Sequence, residues 1–232
     1  MPFSLSFARL LDIVLPRACL LCGAAADAAV CAGCRDELPR LPANTCPVCA
    51  TPLTQPAPAC GECLKTPRAF DQTFAVWEYA YPVDHLVMQL KFACHLASVD
   101  FFAAGMRAAA RPVGDLIVPV PLSPRRLRTR GFNQALEIAR PLARALNIPL
   151  ETGMLFRCRE TVPQSQLPWR ARHHNVRHAF ECRAEVSGKT VIVVDDVMTT
   201  GATLDAIAQV LKDHGATRVI NWIATRAVKR LT

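Results

Sequence analysis

The chain has 232 residues, 51% of them hydrophobic and 20% charged. That suffices for one domain with a sizeable core plus a small accessory module, and argues against a long disordered protein. The formal net charge of +8 rests on 22 Arg and only 5 Lys, which points to an anionic partner and, through the planar guanidinium fork, to phosphate. No apolar run reaches the roughly 20 residues of a spanning helix, so no membrane span is expected.

At the start, Phe3, Phe7, Leu10, Leu11 and Val14 recur at helical spacing, interrupted by Arg9 and Asp12, with no small-residue cleavage pattern. A short amphipathic helix packed on the body is predicted rather than a signal peptide. The expected setting is cytoplasmic, with reduced cysteines.

Eight of the eleven cysteines follow between residues 19 and 63, in four Cys-x-x-Cys pairs: Cys19/Cys22, Cys31/Cys34, Cys46/Cys49 and Cys60/Cys63. Each knuckle aims two thiolates at one point, and two knuckles complete a tetrahedral four-sulfur site, the usual set for structural Zn2+. Two zinc ions are expected. The simplest pairing is Cys19, Cys22, Cys31 and Cys34 for one and Cys46, Cys49, Cys60 and Cys63 for the other; the spacing also allows first pair with third and second with fourth. A reducing compartment and strict spacing favour zinc over disulfides. A closed four-cysteine site leaves no open position for catalysis, so the module is either a binding platform or a cap on the rest. From Cys19 to Cys63 it carries Arg35 and Arg40 against Asp27, Asp36, Glu37 and Glu62, which counts against DNA binding by the ribbons alone. Pro39 to Pro67 shows no helical period. The chain therefore divides into residues 1–67, a leading helix with a cysteine module, and residues 68–232, an α/β domain.

In that second part, Phe74 to Tyr81 reads as a strand and Pro82 to Ala110 as helix, in one or two pieces. Leu116 to Val120 is a short apolar run closed by Pro121, suited to a buried strand. PLSPRRLRTRGFNQA comes next, with Arg125, Arg126, Arg128 and Arg130 within six residues, then Gly131, Phe132 and Asn133 leading into an amphipathic helix, Gln134 to Leu146. A second basic segment runs from Arg157 to Arg183 and includes His173, His174 and His178. Thr190 to Val194 is a β-branched strand, Ala202 to His214 a helix capped by Gly215, and Thr217 to Ala224 a last strand. Strands alternating with helices predict a parallel sheet with crossovers.

The densest chemistry is VIVVDDVMTTGAT, Val191 to Thr203. A hydrophobic strand ends in two adjacent carboxylates, and a short loop then opens a helix. The helix N-terminus offers N–H groups and partial positive charge to a phosphate. Thr199, Thr200 and Thr203 add hydroxyls, and Gly201 permits close backbone approach. Asp195 and Asp196 suit the vicinal hydroxyls of a sugar, and buried without a partner they would be costly.

This stretch resembles the phosphoribosyl-pyrophosphate (PRPP) signature of type I phosphoribosyltransferases. The resemblance implies that Asp195 and Asp196 hold the ribose hydroxyls while Thr199, Thr200, Gly201, Ala202 and Thr203 wrap the 5-phosphate. It also implies Mg2+ carried with PRPP. The Arg-rich segment, with Arg128, Arg130 and Gly131, falls where the family has its pyrophosphate loop, and the segment Arg157 to Arg183 where it has a mobile closing loop. Together with LVMQLKF at Leu86 to Phe92, RCRETVPQSQL, and the later Arg172, Asn175 and Phe180, the pattern resembles the ComF family over nearly the whole length. That group (ComFC/GntX-like) joins a double zinc ribbon to a phosphoribosyltransferase-like domain. It implies a PRPP-binding protein linked to DNA uptake in natural transformation, with single-stranded DNA and DNA-uptake proteins as partners. Two alternatives stay open: an active phosphoribosyltransferase of nucleotide metabolism with an unknown acceptor, and a single-stranded DNA binder using its basic loops. The chain ends eight residues after Ala224, leaving little for a base-recognising hood, so catalytic residues are not assigned.

Overall fold

The computed structural model describes residues 18–92, 97–158 and 179–228. The helix expected over Met1 to Pro16 and residues 159–178 of the second basic segment lie outside the described residues. The elements in chain order are α1 (Ala32–Asp36), α2 (Gly61–Lys65), β1 (Gln72–Glu78), α3 (Val83–Phe92), α4 (Ala97–Ala109), β2 (Leu116–Pro119), α5 (Pro124–Arg130), α6 (Gln134–Leu146), β3 (Leu155–Arg157), β4 (Phe180–Cys182), β5 (Thr190–Met198), α7 (Ala202–Asp213) and β6 (Arg218–Arg226).

Four strands form one sheet in the order β1-β6-β5-β2, and every neighbouring pair is parallel. The composition of β5 explains its central place. Alternate side chains of a strand point to opposite faces, and here both faces are apolar. Val191 and Val193 join one core, with Val118, Ile223 and the α7 residues Leu204, Ile207 and Leu211. Ile192 and Val194 join the other, with Ile117, Trp222, Leu86 and Leu90 of α3, Phe102 and Met106 of α4, and Ile138 and Leu142 of α6. Helices α3, α4 and α6 thus cover one sheet face and α7 the other, as a buried parallel sheet requires. The architecture is the expected parallel sheet flanked by helices, with cysteine clusters at the N-terminal side.

Several boundaries differ from the sequence reading. β5 does not stop at Val194 but runs on to Met198, because pairing with β6 continues through Asp195 opposite Ile223, Val197 opposite Thr225 and Met198 opposite Arg226. The carboxylates therefore sit inside a strand, not after it. The first Arg-rich segment is not all loop. Pro124–Arg130 forms a helix because Ser123 accepts from the Arg126 N–H, Pro124 occupies the first turn, and Gly131 closes it in the left-handed region at φ 81°, where glycine carries no Cβ penalty. The α7 helix ends at Asp213 with His214 as C-cap, one residue before Gly215. The antiparallel pair β3–β4 has no clear strand signal, being only three residues on each side.

The two cysteine clusters straddle the sheet. Cys19, with Val30 and Leu38, belongs to the core under α3, α4 and α6. Cys46, Cys49 and Cys63 belong to the core under α7.

Candidate functional site

The site is built at the carboxyl end of β5, where open α/β sheets leave a crevice for ligands. Asp195 and Asp196 are both buried, with relative exposures of 9% and 3%. Desolvation opposes ionisation of each, and their environments then separate them. For Asp195, burial and the neighbouring negative charge of Asp196 raise the pKa well above the usual carboxylate value. For Asp196, burial is outweighed by the Lys91 ammonium and by hydrogen bonds from Lys91, Asp195 and Gln134, so its pKa is lowered. In the ligand-free site Asp196 holds the charge and Asp195 resists it.

The groups that hold Asp196 come from distant elements. Lys91, in the last turn of α3, places Nζ 2.5 Å from Asp196 Oδ2. Gln134, in the first turn of α6, donates through Nε2 to Asp196 Oδ1 at 3.0 Å. Thr225 of β6 donates its hydroxyl to the Asp196 carbonyl at 2.9 Å. The Gln134 amide oxygen in turn accepts from Arg130 Nη1. Arg130 lies 5.5 Å from the centroid of the Phe92 ring, within reach of a cation–π attraction. Half-burial depresses its pKa while the charges of Asp196 and Asp195 pull it back. A chain of contacts thus runs Arg130–Gln134–Asp196–Lys91, with Lys91 and Phe92 side by side at the end of α3.

Gln134 is placed by its own neighbours. Asn133 caps α6 by accepting from the Ala135 N–H at 3.0 Å and donates to the Val120 carbonyl at 3.0 Å, tying the helix start to the end of β2.

The loop after β5 is compact. Thr200 is buried, and its hydroxyl accepts from the Ala202 N–H at 3.2 Å. Gly201, at φ 80°, is the N-cap of α7. A Cβ there would lie 2.7 Å from Met198 Cε and 3.6 Å from Phe70 Cζ, so conformation and space both call for glycine. From Asp195 to Thr203 the expected residues are contiguous. Arg130 joins them through Gln134. Arg128 and Gly131 are exposed on the rim, with no contact to the acidic pair among the described residues. Lys91 and Gln134 were not singled out by sequence reasoning. LVMQLKF is an apolar helix ending in Lys-Phe, and nothing along the chain signals that its lysine meets a carboxylate 105 positions later.

The cysteines converge as two groups, Cys19 with Cys22, Cys31 and Cys34, and Cys46 with Cys49, Cys60 and Cys63; within each the ligand atoms all lie within 4.8 Å of one another. The first knuckle pairs with the second and the third with the fourth. Backbone N–H groups already point at sulfurs: Cys31 N donates to Cys19 Sγ at 3.4 Å and Cys60 N to Cys46 Sγ at 3.2 Å. Such donors stabilise thiolates, so four-sulfur sets of this shape fit structural Zn2+.

The comparisons agree with this division of labour. The double zinc ribbon domain family matches residues 10–64 and the phosphoribosyl transferase domain family residues 133–226. "DNA utilization protein YhgH" of Salmonella typhi is 35% identical, covering 93% of this chain and 100% of its own. "Competence protein F" of Haemophilus influenzae is 31% identical over 85% of this chain and 90% of its own. "Competence protein ComFC" of Bacillus subtilis is 26% identical over 82% and 80%. Identity and coverage at this level, with a double zinc ribbon ahead of a phosphoribosyltransferase domain, show that the chain belongs to the ComF family.

Proposed function

We propose that this chain is a PRPP-binding, phosphoribosyltransferase-like protein of DNA uptake and utilisation, working in the cytoplasm. Residues 1–67 form the zinc-ribbon module and residues 68–232 the ligand-binding domain. Asp195 and Asp196 accept hydrogen bonds from the ribose hydroxyls. The segment Thr199, Thr200, Gly201, Ala202 and Thr203 receives the 5-phosphate at the N-terminus of α7, where backbone donors and helix dipole act together. Arg128, Arg130 and Gly131 line the pyrophosphate side. Mg2+, a hard cation held by phosphate oxygens, arrives with PRPP; when bound it neutralises the pyrophosphate charge.

The single observation that carries this reading is the buried Asp195–Asp196 pair at the carboxyl end of a central strand, followed without a break by a glycine-hinged helix start. Lys91 and Gln134 offset the burial of Asp196, but in the ligand-free site nothing among the described residues outweighs the burial of Asp195 beside it, whereas a polyhydroxylated ligand with a phosphate uses both carboxylates and the loop. The same pair disfavours bare DNA backbone as the ligand at this spot, because Asp196 would repel it.

The names of the relatives support DNA utilisation and competence as the setting; single-stranded DNA and uptake proteins are the partners this reading adds. A pyrophosphate-release assay with PRPP and Mg2+, run across bases, nucleotides and single-stranded DNA, tests the reading. We expect PRPP binding. Release with any acceptor makes the protein a phosphoribosyltransferase; binding without release makes PRPP a ligand or regulator; no binding at all contradicts the proposal.

A further inference from the structure

A densely hydrogen-bonded buried charge lies thirty positions from the acidic pair, at the end of the last strand. Arg226 is the last residue of β6 and is 6% exposed. Among the described residues it pairs with no carboxylate. Its guanidinium instead divides its donors between two parts of the chain. On the ribbon side, Nε donates to the Cys49 carbonyl at 2.8 Å and Nη2 to the Thr51 hydroxyl at 3.1 Å. On the loop side, Nη1 donates to the carbonyls of Met198, Thr199 and Ala227. Thr51 also accepts from the Cys49 thiol at 3.3 Å, so the ribbon end of this network reaches a metal-ligating sulfur.

Resting on the phosphate-loop reading above, we propose that Arg226 is a positioning residue that couples the second zinc site to the phosphate loop. Two features carry this. In a trans peptide the carbonyl and the N–H point in opposite directions. Fixing the carbonyls of Met198 and Thr199 toward Arg226 therefore turns the N–H groups of Thr199 and Thr200 to the other side, away from the ribbon and toward the face where a phosphate is received. Arg226 sets the aim of a backbone anion cradle that it never enters. The second feature is charge. A Zn2+ ion with four thiolates carries a net charge of −2, and Arg226, contacting the Cys49 backbone, is a buried cation beside it. Metal loading gives the guanidinium an electrostatic partner. Emptying the site weakens that partnership, leaving carbonyl and hydroxyl acceptors and the more distant charge of Glu62, and poorly compensated buried charge is costly enough to move.

The linker after Cys63 reinforces the connection. The Ala69 N–H donates to Asp205 Oδ1 at 2.7 Å in the first turn of α7, and the Phe70 ring lies against the space where Gly201 lacks a side chain. The second ribbon therefore reaches the loop from the strand side through Arg226, and the segment that directly follows the ribbon meets its helix side through Ala69 and Phe70. The first ribbon has no such contact with the loop among the described residues.

The test is calorimetric titration with PRPP and Mg2+, with zinc per chain measured on the same samples and far-UV circular dichroism confirming the fold. Arg226→Met should keep both zinc ions yet bind PRPP at least tenfold more weakly. Arg226→Lys should recover only part of this, since one ammonium cannot span both sides. Cys60→Ser should lose one zinc and weaken binding by a similar factor, and Arg226→Met added to it should weaken binding little further. Cys22→Ser should also lose one zinc but bind within twofold of the parent. If the parent protein fails to bind PRPP, the ligand reading itself is wrong. If the parent binds and Arg226→Met binds equally well with both zinc ions in place, the coupling alone is wrong. Equal weakening in Cys22→Ser and Cys60→Ser would show general loosening and also overturn it.

Discussion

The two four-cysteine clusters obey one spacing rule and do different work. In the first, Cys22 is exposed and Cys31 and Cys34 are only partly covered; in the second, Cys46, Cys49 and Cys63 are buried. The first sits beside α4, across a cavity of about 630 Å3 lined by Val30, Trp77, Phe101 and Gly105. The second shares a core with α7 and the inner residues of β5 and touches the loop through Arg226. In both clusters one thiol is held low and another is pushed up, as a shared four-sulfur set requires; what differs is what holds the low one. In the first cluster, burial acts against the Cys19 thiolate, but N–H donors from Cys22, Cys31 and Leu21 bring its pKa down to about 6. Hydrogen bonds with Cys22 and Cys31 push Cys34 up to about 12. In the second, burial of Cys49 is outweighed by hydrogen bonds that the Thr51 side chain and backbone make with its thiolate form, giving about 7, and that same threonine is bonded to Arg226. Identical ligand sets can thus be a local staple in one place and part of a binding site's support in another. What separates them is the second layer of contacts, not the ligands.

The largest effect that sharpens this comparison is metal removal. Metal analysis should find two zinc ions per chain. Stripping both with a chelator should unfold residues 18–67, because each four-thiolate site contributes on the order of 10 kcal/mol to folding. Hydrogen exchange should then show the amides of residues 199–203 losing protection, while loss of the first zinc alone, in Cys22→Ser, leaves them protected.

The next effect is opposite in sign at adjacent positions. Asp196→Asn should destabilise the ligand-free protein by about 2 kcal/mol in denaturant unfolding, since it leaves the partly buried Lys91 without its partner. Asp195→Asn should stabilise it by about 1 kcal/mol, because a neutral isostere keeps the bond from the Asp196 N–H and removes a carboxyl whose ionisation is opposed by burial and by Asp196. The pH dependences oppose each other as well. The folded pKa of Asp195 lies above its ordinary value of 3.8, so its contribution is full below 3.8 and is lost as pH rises through the raised pKa. That of Asp196 lies below 3.8, so its contribution is present above 3.8 and is lost as pH falls through the lowered pKa. Asp195→Asn should therefore flatten the loss of stability on the rising side.

Smaller still is Gly201→Ala, which forces a Cβ into a left-handed backbone 2.7 Å from Met198 Cε. It should cost about 1–2 kcal/mol and weaken PRPP binding. Smallest is Arg128→Ala on the exposed rim, within about 0.5 kcal/mol in stability. If single-stranded DNA binds the basic rim, the same change should lower the slope of log affinity against log salt by about one.

The fold was largely legible because its signals are periodic. β-branched runs such as Val191–Val194 and the amphipathic Gln134–Leu146 announce themselves, and the four knuckles read directly as two metal sets. What stayed hidden depends on pairing across the chain. The extension of β5 past its carboxylates comes from β6, whose Thr225 and Arg226 carry no local sign of that role. Lys91 and Gln134 look like ordinary helix residues until tertiary packing brings them to Asp196. The α5 helix was masked by its Arg density, though Ser123, Pro124 and Gly131 spell a cap, a start and a stop. The knuckle pairing is undetermined by spacing alone and follows from the chain's path across the two faces of the sheet.

The most direct measurement of the central claim is the thermal shift produced by PRPP with Mg2+ in the parent protein, Asp195→Asn and Asp196→Asn. The account predicts a clear upward shift in the parent and none in Asp196→Asn. For Asp195→Asn it predicts a higher melting temperature without ligand together with a reduced shift. A full shift in Asp196→Asn would contradict the claim that this buried carboxylate pair holds the ligand.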